Sequence, residues 1–453
     1  MKKIIFISTL LYALCGCSTY KSFKSPDVEL GNLYGDIVTL TDSVKNAPAW
    51  QAMFLDDQLQ SLIQKAINSN INLEIARLNI EQAEEVLKTS KMAFLPSLTI
   101  EPTGGVSSFD NSKASYTYNL PLTTQWELDI FGKLRNSKHQ SQAAVEQSQE
   151  YALMVQTQLV ASVANGYYTL IMLDEQLKIT NDCVENLRTN LDVIIALKEA
   201  GMQTETAVNQ ATANYYEIQV SKKNLEKQIR NTENSLVLLI NEPPQTIERS
   251  SFVEEQTFGL DLNESISIEA LSNRPDVRNA EYNLKQNFYS VNVARAALYP
   301  SLNLSGSAGW TNSAGGVIVN PGKLLLSVLG SLTQPLFNKG VNRANLNIAK
   351  INYEKSLLSF HQALLNAGVE VNDALTQCQN SKEKLSLREL QVKANEDAVE
   401  NSTELMKNSS NTYLEVLVAQ NSLLQSRLSQ VSDWFEYIQG TINLYKALGG
   451  GVN

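Results

Sequence analysis

The sequence predicts a mainly α-helical chain with a β-barrel part, built as a tandem duplication in which each half supplies two membrane strands and one very long helix. Three observations carry this reading. Short motifs recur 204 to 208 residues apart. Two stretches, Gly132 to Gly201 and Gly340 to Ser409, contain no proline and are rich in helix formers. Segments that alternate apolar and polar residues precede each of those stretches. With 453 residues, the chain is long enough for more than one domain.

Charge and composition narrow the function. Lys plus Arg total 37 against 47 Asp plus Glu, a formal −10, so a nucleic-acid partner, which needs a basic face, is not expected. Two histidines and four cysteines leave few metal or acid–base constellations, so no cofactor is expected and an enzyme is disfavoured. His139 and His361 lie on the long helices with no carboxylate or cysteine at ligand spacing, and read as solvated or interface residues.

The N-terminus bears on location. Lys2 and Lys3 precede an apolar run from Ile4 to Leu14, the pattern of a secretory signal and too short to span a bilayer. It ends in Leu14-Cys15-Gly16-Cys17, which resembles a bacterial lipobox and implies a signal peptide of residues 1–16 with acylation of Cys17. Several acyl chains would anchor the protein stably where one holds it only marginally. Ser18 after the cysteine favours the outer membrane by analogy. Loss of the two lysines leaves 35 basic against 47 acidic residues, or −12. No later segment is apolar enough for a transmembrane helix.

The repeat organises the rest. Phe94-Leu95-Pro96-Ser97-Leu98 recurs as Leu298-Tyr299-Pro300-Ser301-Leu302, an offset of 204. Phe131-Gly132-Lys133 aligns with Phe337-Asn338-Lys339 at 206, and Thr204, Val208 and Ala211 with Thr412, Val416 and Ala419 at 208. Each half opens with a helix, over about 70–94 and 275–299, ended by a proline. Two strands follow. Tyr116, Tyr118, Leu120, Leu122, Trp126 and Leu128 share one face of the first half's strand, and Leu302, Leu304, Ala308 and Trp310 alternate with polar residues in the second. Loops are expected at 104–115 and 311–322. A helix of about 68 residues, roughly 100 Å long, follows in each half and needs neighbours to support it. Return helices over 204–240 and 412–446 complete the halves. The organisation is therefore 17–69 as N-terminal segment, 70–240 as first repeat, 241–273 as a connector or belt, 274–446 as second repeat, and 447–453 as tail.

Four strands per chain cannot close a barrel, and an open edge in lipid is forbidden, so the barrel must be shared between subunits. Here a resemblance enters. Arg274-Pro275-Asp276-Val277-Arg278-Asn279-Ala280-Glu281, Ala294-Arg295-Ala296-Ala297-Leu298-Tyr299-Pro300-Ser301-Leu302 and Tyr413-Leu414-Glu415-Val416-Leu417-Val418-Ala419-Gln420 resemble the TolC superfamily, in its OprM-like lipoprotein branch. The resemblance implies a homotrimer with a 12-stranded outer-membrane barrel and a helical periplasmic tunnel. It implies a passive exit duct for drugs or metal ions in a tripartite efflux pump. The partners would be a periplasmic adaptor, an inner-membrane pump of the proton-driven RND type and outer-membrane lipid. The alternatives are the exit duct of a type I protein secretion system, which shares the fold, and a structural coiled-coil lipoprotein, which would need no strands.

The site residues follow. The resemblance places a periplasmic gate at the helix tips, with Gly201, Thr204, Glu205, Thr412 and Glu415 as candidates and Lys198 and Lys407 as partners for the acids. Thr412 and Glu415 also fit a helix-capping box. Val418 stands where related channels often carry an acid. Tyr116, Tyr118, Trp126, Tyr299 and Trp310 are candidates for membrane-interface girdles, or for packing at the helix–barrel junction. Cys183 and Cys378 are expected to remain unpaired, because the repeat offset separates them by roughly 16 Å along the helices.

Overall fold

The computed structural model describes residues 20, 22–26, 48–110, 112–253, 258, 271–311, 323–407 and 413–450. Cys17, Thr412 and the centre of the 311–322 loop lie outside the described residues. The described residues form, in order, α1 (Trp50–Met53), α2 (Asp57–Ser69), α3 (Ile71–Met92), β1 (Ser97–Ile100), β2 (Thr103–Ser107), β3 (Ser115–Leu128), α4 (Lys133–Glu199), α5 (Glu205–Leu239), α6 (Pro275–Ala296), β4 (Ser301–Thr311), β5 (Lys323–Thr333), α7 (Val341–Lys407) and α8 (Tyr413–Ala447).

The duplication is reproduced residue for residue in length. Helices α3 and α6 have 22 residues each, α4 and α7 have 67, and α5 and α8 have 35. The long helices begin after Gly132 and Gly340, both with positive φ (73° and 79°). Those two glycines are 208 residues apart, so Gly132 corresponds to Gly340 and the 206 offset aligned on Phe337-Asn338-Lys339 is two residues short.

The chain divides into two compact units that cut across the repeats. The first, residues 1–29, 78–150 and 278–362, holds the sheet. Its order is β1/β2–β3–β4–β5, antiparallel throughout. Strand β1 pairs with the C-terminal half of β3 and β2 with its N-terminal half, so the two form one strand interrupted at Glu101-Pro102. Pro102 has no N–H to give the ladder. The expected loop at 104–115 is corrected accordingly. Gly104-Gly105 look like turn residues, but Tyr118 and Thr117 pair with them, and the connection shrinks to 108–114. Pro121 lies within central strand β3, where β4 draws close to it at Gly309. A Cβ on Gly309 would stand 2.3 Å from the Leu120 carbonyl oxygen and 2.6 Å from Pro121 Cα, so only glycine fits.

The second unit, residues 30–77, 151–277 and 363–453, is packed around aromatic side chains. Phe54, Tyr167, Tyr168, Trp434 and Tyr445 are buried there, with Phe54 and Tyr445 edge to face at 5.6 Å. Asp56 caps α2 by accepting from the amides of Gln58 (2.9 Å) and Leu59 (3.1 Å), and also accepts from the Tyr167 hydroxyl at 2.9 Å. Arg249 pins the start of the connector to α4 and α5, donating to Asp174 Oδ1 and Glu233 Oε1, each at 2.9 Å. Those carboxylates hold Arg249 protonated against the cost of its burial.

Arg274, first residue of the signature motif, is 3% exposed. Its guanidinium donates to both Asp276 oxygens (3.0 and 2.8 Å), to Glu370 (2.6 Å) and to the Ala447 carbonyl at the end of α8 (2.7 Å). Burial opposes its charge, and the two carboxylates more than restore it, raising its pKa. The arginine thereby ties α6, α7 and α8 together. Cys183 packs beside Leu187, Ile218 and Leu424, while Cys378 lies under Gly440; both are free thiols.

Candidate functional site: the two-faced sheet and the hairpin tips

The register sorts the sheet into two chemical faces. Leu122 aligns with Ile100 and Ala308, Ala308 with Leu326, and Trp126 with Leu304. The residues between them, such as Thr123, Ser307 and Ser327, align with one another on the opposite face. Leu98, Ile100, Val106, Leu326, Val328 and Leu332 are all more than 60% exposed. An apolar face this continuous and uncovered marks a surface made for hydrocarbon or for a partner. Strands β1/β2 and β5 are the two edges, and no described strand covers either.

The five candidate aromatics fall at two levels of this sheet. Tyr116, Tyr118 and Trp310 stand toward the end remote from the helices, and Trp126 and Tyr299 toward the helical end. Tyr116 and Trp126 share the apolar face ten residues apart, about 34 Å along a strand and about 26 Å once tilted by 40°. That matches an apolar band of about 25 Å. The two lower aromatics also bind protein: Trp126 donates its indole N–H to the Phe94 carbonyl at 2.8 Å, and Tyr299 stacks on Phe131 at 5.1 Å. Gln334 makes the repeat-related tether, donating to the Leu298 carbonyl at 2.9 Å. Tyr20, three residues after Cys17, packs against Gly132 in the same unit.

The hairpin tips come together in the second unit. After α4, Gly201 (φ +70°) closes a Schellman turn: its N–H donates to Lys198 (2.9 Å) and that of Met202 to Leu197 (2.8 Å). Thr204 then caps α5, accepting from the Ala207 amide at 3.3 Å. Glu205 pairs with Lys198 across this turn, and both side chains face solvent. Tyr413 and Leu417 of α8 pack with Ile194, Ala207 and Ala211 of the first hairpin. Glu415 and Val418 point outward, and Glu415 has no ion-pair partner among the described residues. Thr412 and the Lys407 side chain lie outside the described residues. The burial of Tyr413, Val416 and Leu417 explains the spacing of that motif.

Among the described residues no group of His, Cys, Asp or Glu is placed to hold a metal ion, and no helix is long and apolar enough to cross a membrane. His139 stacks on Tyr289 at 5.2 Å, and burial, followed by Lys138, Lys285 and Arg135, lowers its pKa.

A sheet with one apolar face and very long helices within one chain are the parts of a membrane channel. The sequence matches the outer membrane efflux protein family over residues 62–242 and 267–450. It is 26% identical to the cation efflux system protein CusC of Escherichia coli K12, over 97% of each chain. It is 24% identical to the probable outer membrane lipoprotein SilC of Salmonella typhimurium, over 99% of this chain and 98% of that one. The fold superposes on a CusC crystal structure with TM-score 0.87 at 24% identity, over 96% of this chain and 100% of that one. The open-state MtrE outer membrane channel of Neisseria gonorrhoeae gives 0.86 at 25% identity, over 96% and 99%. The chain belongs to the outer membrane efflux protein family and is an efflux channel of the TolC superfamily.

Proposed function

We propose that three copies of this chain close a 12-stranded barrel in the outer membrane and form the passive exit duct of a tripartite pump. An adaptor in the periplasm and an inner-membrane pump of RND type supply the transported solute. The observation that carries this is the sheet: an apolar face beside two edges that no described strand covers, which lipid does not tolerate. The strands alternate in direction, so β5 of one copy can pair antiparallel with β1/β2 of the next, and three fours give an even-numbered barrel. No reaction is catalysed. Relatives of similar length carry names for cation, toluene and solvent efflux. The solute class here is small ions or small organic molecules.

The tips form the gate. Gly201, Thr204 and the Glu205–Lys198 pair shape one turn, and Glu415 stands in the first turn of α8 at the other, preceded in sequence by Thr412. Because Glu205 is engaged locally and Glu415 has no ion-pair partner among the described residues, Glu415 is the acid we assign to meet a neighbouring copy. Cys17 carries the acyl anchor, and Tyr116, Tyr118, Trp126, Tyr299 and Trp310 mark the two membrane interfaces.

Planar-bilayer recording of the purified protein tests the reading. Discrete, mostly closed single-channel steps with cation preference are expected, since the mature chain carries −12. Glu415→Gln should raise open probability and weaken that preference more than Glu205→Gln does. Absence of any conductance after insertion would overturn the duct.

A further inference from the structure

Four helix ends converge on one end of the sheet. Leu128 aligns with Leu302 and Ser301 with Thr333, so the strand ends at Leu128, Ser301 and Thr333 form one row, and β1 begins three residues above it, where Ser97 aligns with Gln125. The ends of α3 and α6 and the starts of α4 and α7 all lie within eight residues of that row. This end is basic in an acidic protein. No Asp or Glu occurs between Glu281 and Glu354, a span that contains Arg295, Lys339 and Arg343 near the row. From Val86 to Ile100 there is again no acid, while Lys88 and Lys91 occupy the last turns of α3.

Among the described residues, the two acids that stand at this end are already engaged. Glu127 accepts from Lys133 at 2.9 Å, and Asp129 accepts from the Leu134 and Arg135 amides, each at 2.9 Å, at the start of α4. Lys91, Lys339 and Arg343 are exposed and have no carboxylate partner among the described residues. The N-terminus of α7 adds partial positive charge at the same level, while that of α4 is taken up by Asp129.

We propose that this collar binds the headgroups of anionic phospholipids in the leaflet facing the periplasm. The inference rests on the membrane reading of the sheet given above. The apolar face ends at Trp126 and Leu128, so the cations just beyond it fall in the headgroup layer, about 5–8 Å deep. Lysine and arginine there are attracted to anionic lipid and reach it with long side chains. Lys350, nine residues into α7, lies about 14 Å below the helix start and beyond that layer. It serves as the internal control.

The test is native mass spectrometry of the full-length protein in detergent, titrated with short-chain phosphatidylglycerol, phosphatidylethanolamine or inorganic phosphate. Wild type should hold phosphatidylglycerol at least about tenfold more tightly than phosphatidylethanolamine. Each cation removed should weaken that binding about fivefold, so the combined Lys91→Gln, Lys339→Asn, Arg343→Gln variant should lose on the order of 100-fold. Lys350→Gln should stay within about twofold of wild type. Equal binding of the two lipids, an unchanged triple variant, or phosphate alone binding as tightly as phosphatidylglycerol would each overturn the proposal. Bilayer conductance separates this from the channel reading. A protein that conducts without lipid preference loses only the collar, whereas one that never inserts loses the barrel.

Discussion

At the residue scale, Arg274 has the largest stake in stability. Removing a buried partner strands the groups it satisfied, here Asp276, Glu370 and the Ala447 carbonyl. Arg274→Ala should cost about 3 kcal/mol, the lower end for a broken buried pair, because both carboxylates reach solvent. Arg274→Lys should recover only part of it, since an ammonium cannot make the planar fork. Urea unfolding of the detergent-solubilised protein measures both. The thiols give a pH-dependent check. Burial pushes Cys183 and Cys378 up to about 11 from 9.0, so each is kept neutral. Their contribution to stability is complete below pH 9 and fades as pH rises toward 11. At pH 8 both should react with iodoacetamide about 100-fold more slowly than a thiol titrating at 9.0, on thiolate fraction alone. Alkylation at the free-thiol rate would show that the helices around them open.

At the element scale, the sensitive point is where β4 meets Pro121. Gly309→Ala places a methyl within contact of backbone atoms, which cannot rotate away, so β4 must shift against β3. The fraction of chain recovered as heat-resistant oligomer on a semi-native gel should fall severalfold, while Gly104→Ala, whose Cβ would meet only an ordinary contact at 3.7 Å, should be tolerated. Helices were legible because period, proline placement and duplication all agree: 70–94 became Ile71–Met92, and 275–299 became Pro275–Ala296. Strand β2 was not, because Gly104-Gly105 carry no side-chain pattern and are held only by partners on β3. For the same reason the role of Trp126 as a tether to Phe94, and of Arg274 as a hub, could not be read. Both depend on backbone carbonyls far away in sequence, and carbonyls leave no mark in a sequence. Glu205 with Lys198 was readable because its partner sits just across a tight turn.

At the scale of the whole molecule, one chain presents an apolar sheet face with no described strand on either edge. In the shared barrel proposed above, other copies would satisfy these edges. Engineered disulfides between the edges examine this without assuming a function. Thr99→Cys on β1 is combined in one chain with Ser327→Cys, Leu329→Cys or Ser331→Cys on β5, three positions on the same face that cover the unknown register between copies. The protein is oxidised in outer-membrane fractions and run on a non-reducing gel. A shared barrel of three chains predicts that at least one pair yields dimer and trimer bands and nothing larger, with neither single mutant cross-linking. A ladder continuing past three, or monomer alone for every pair, would contradict it.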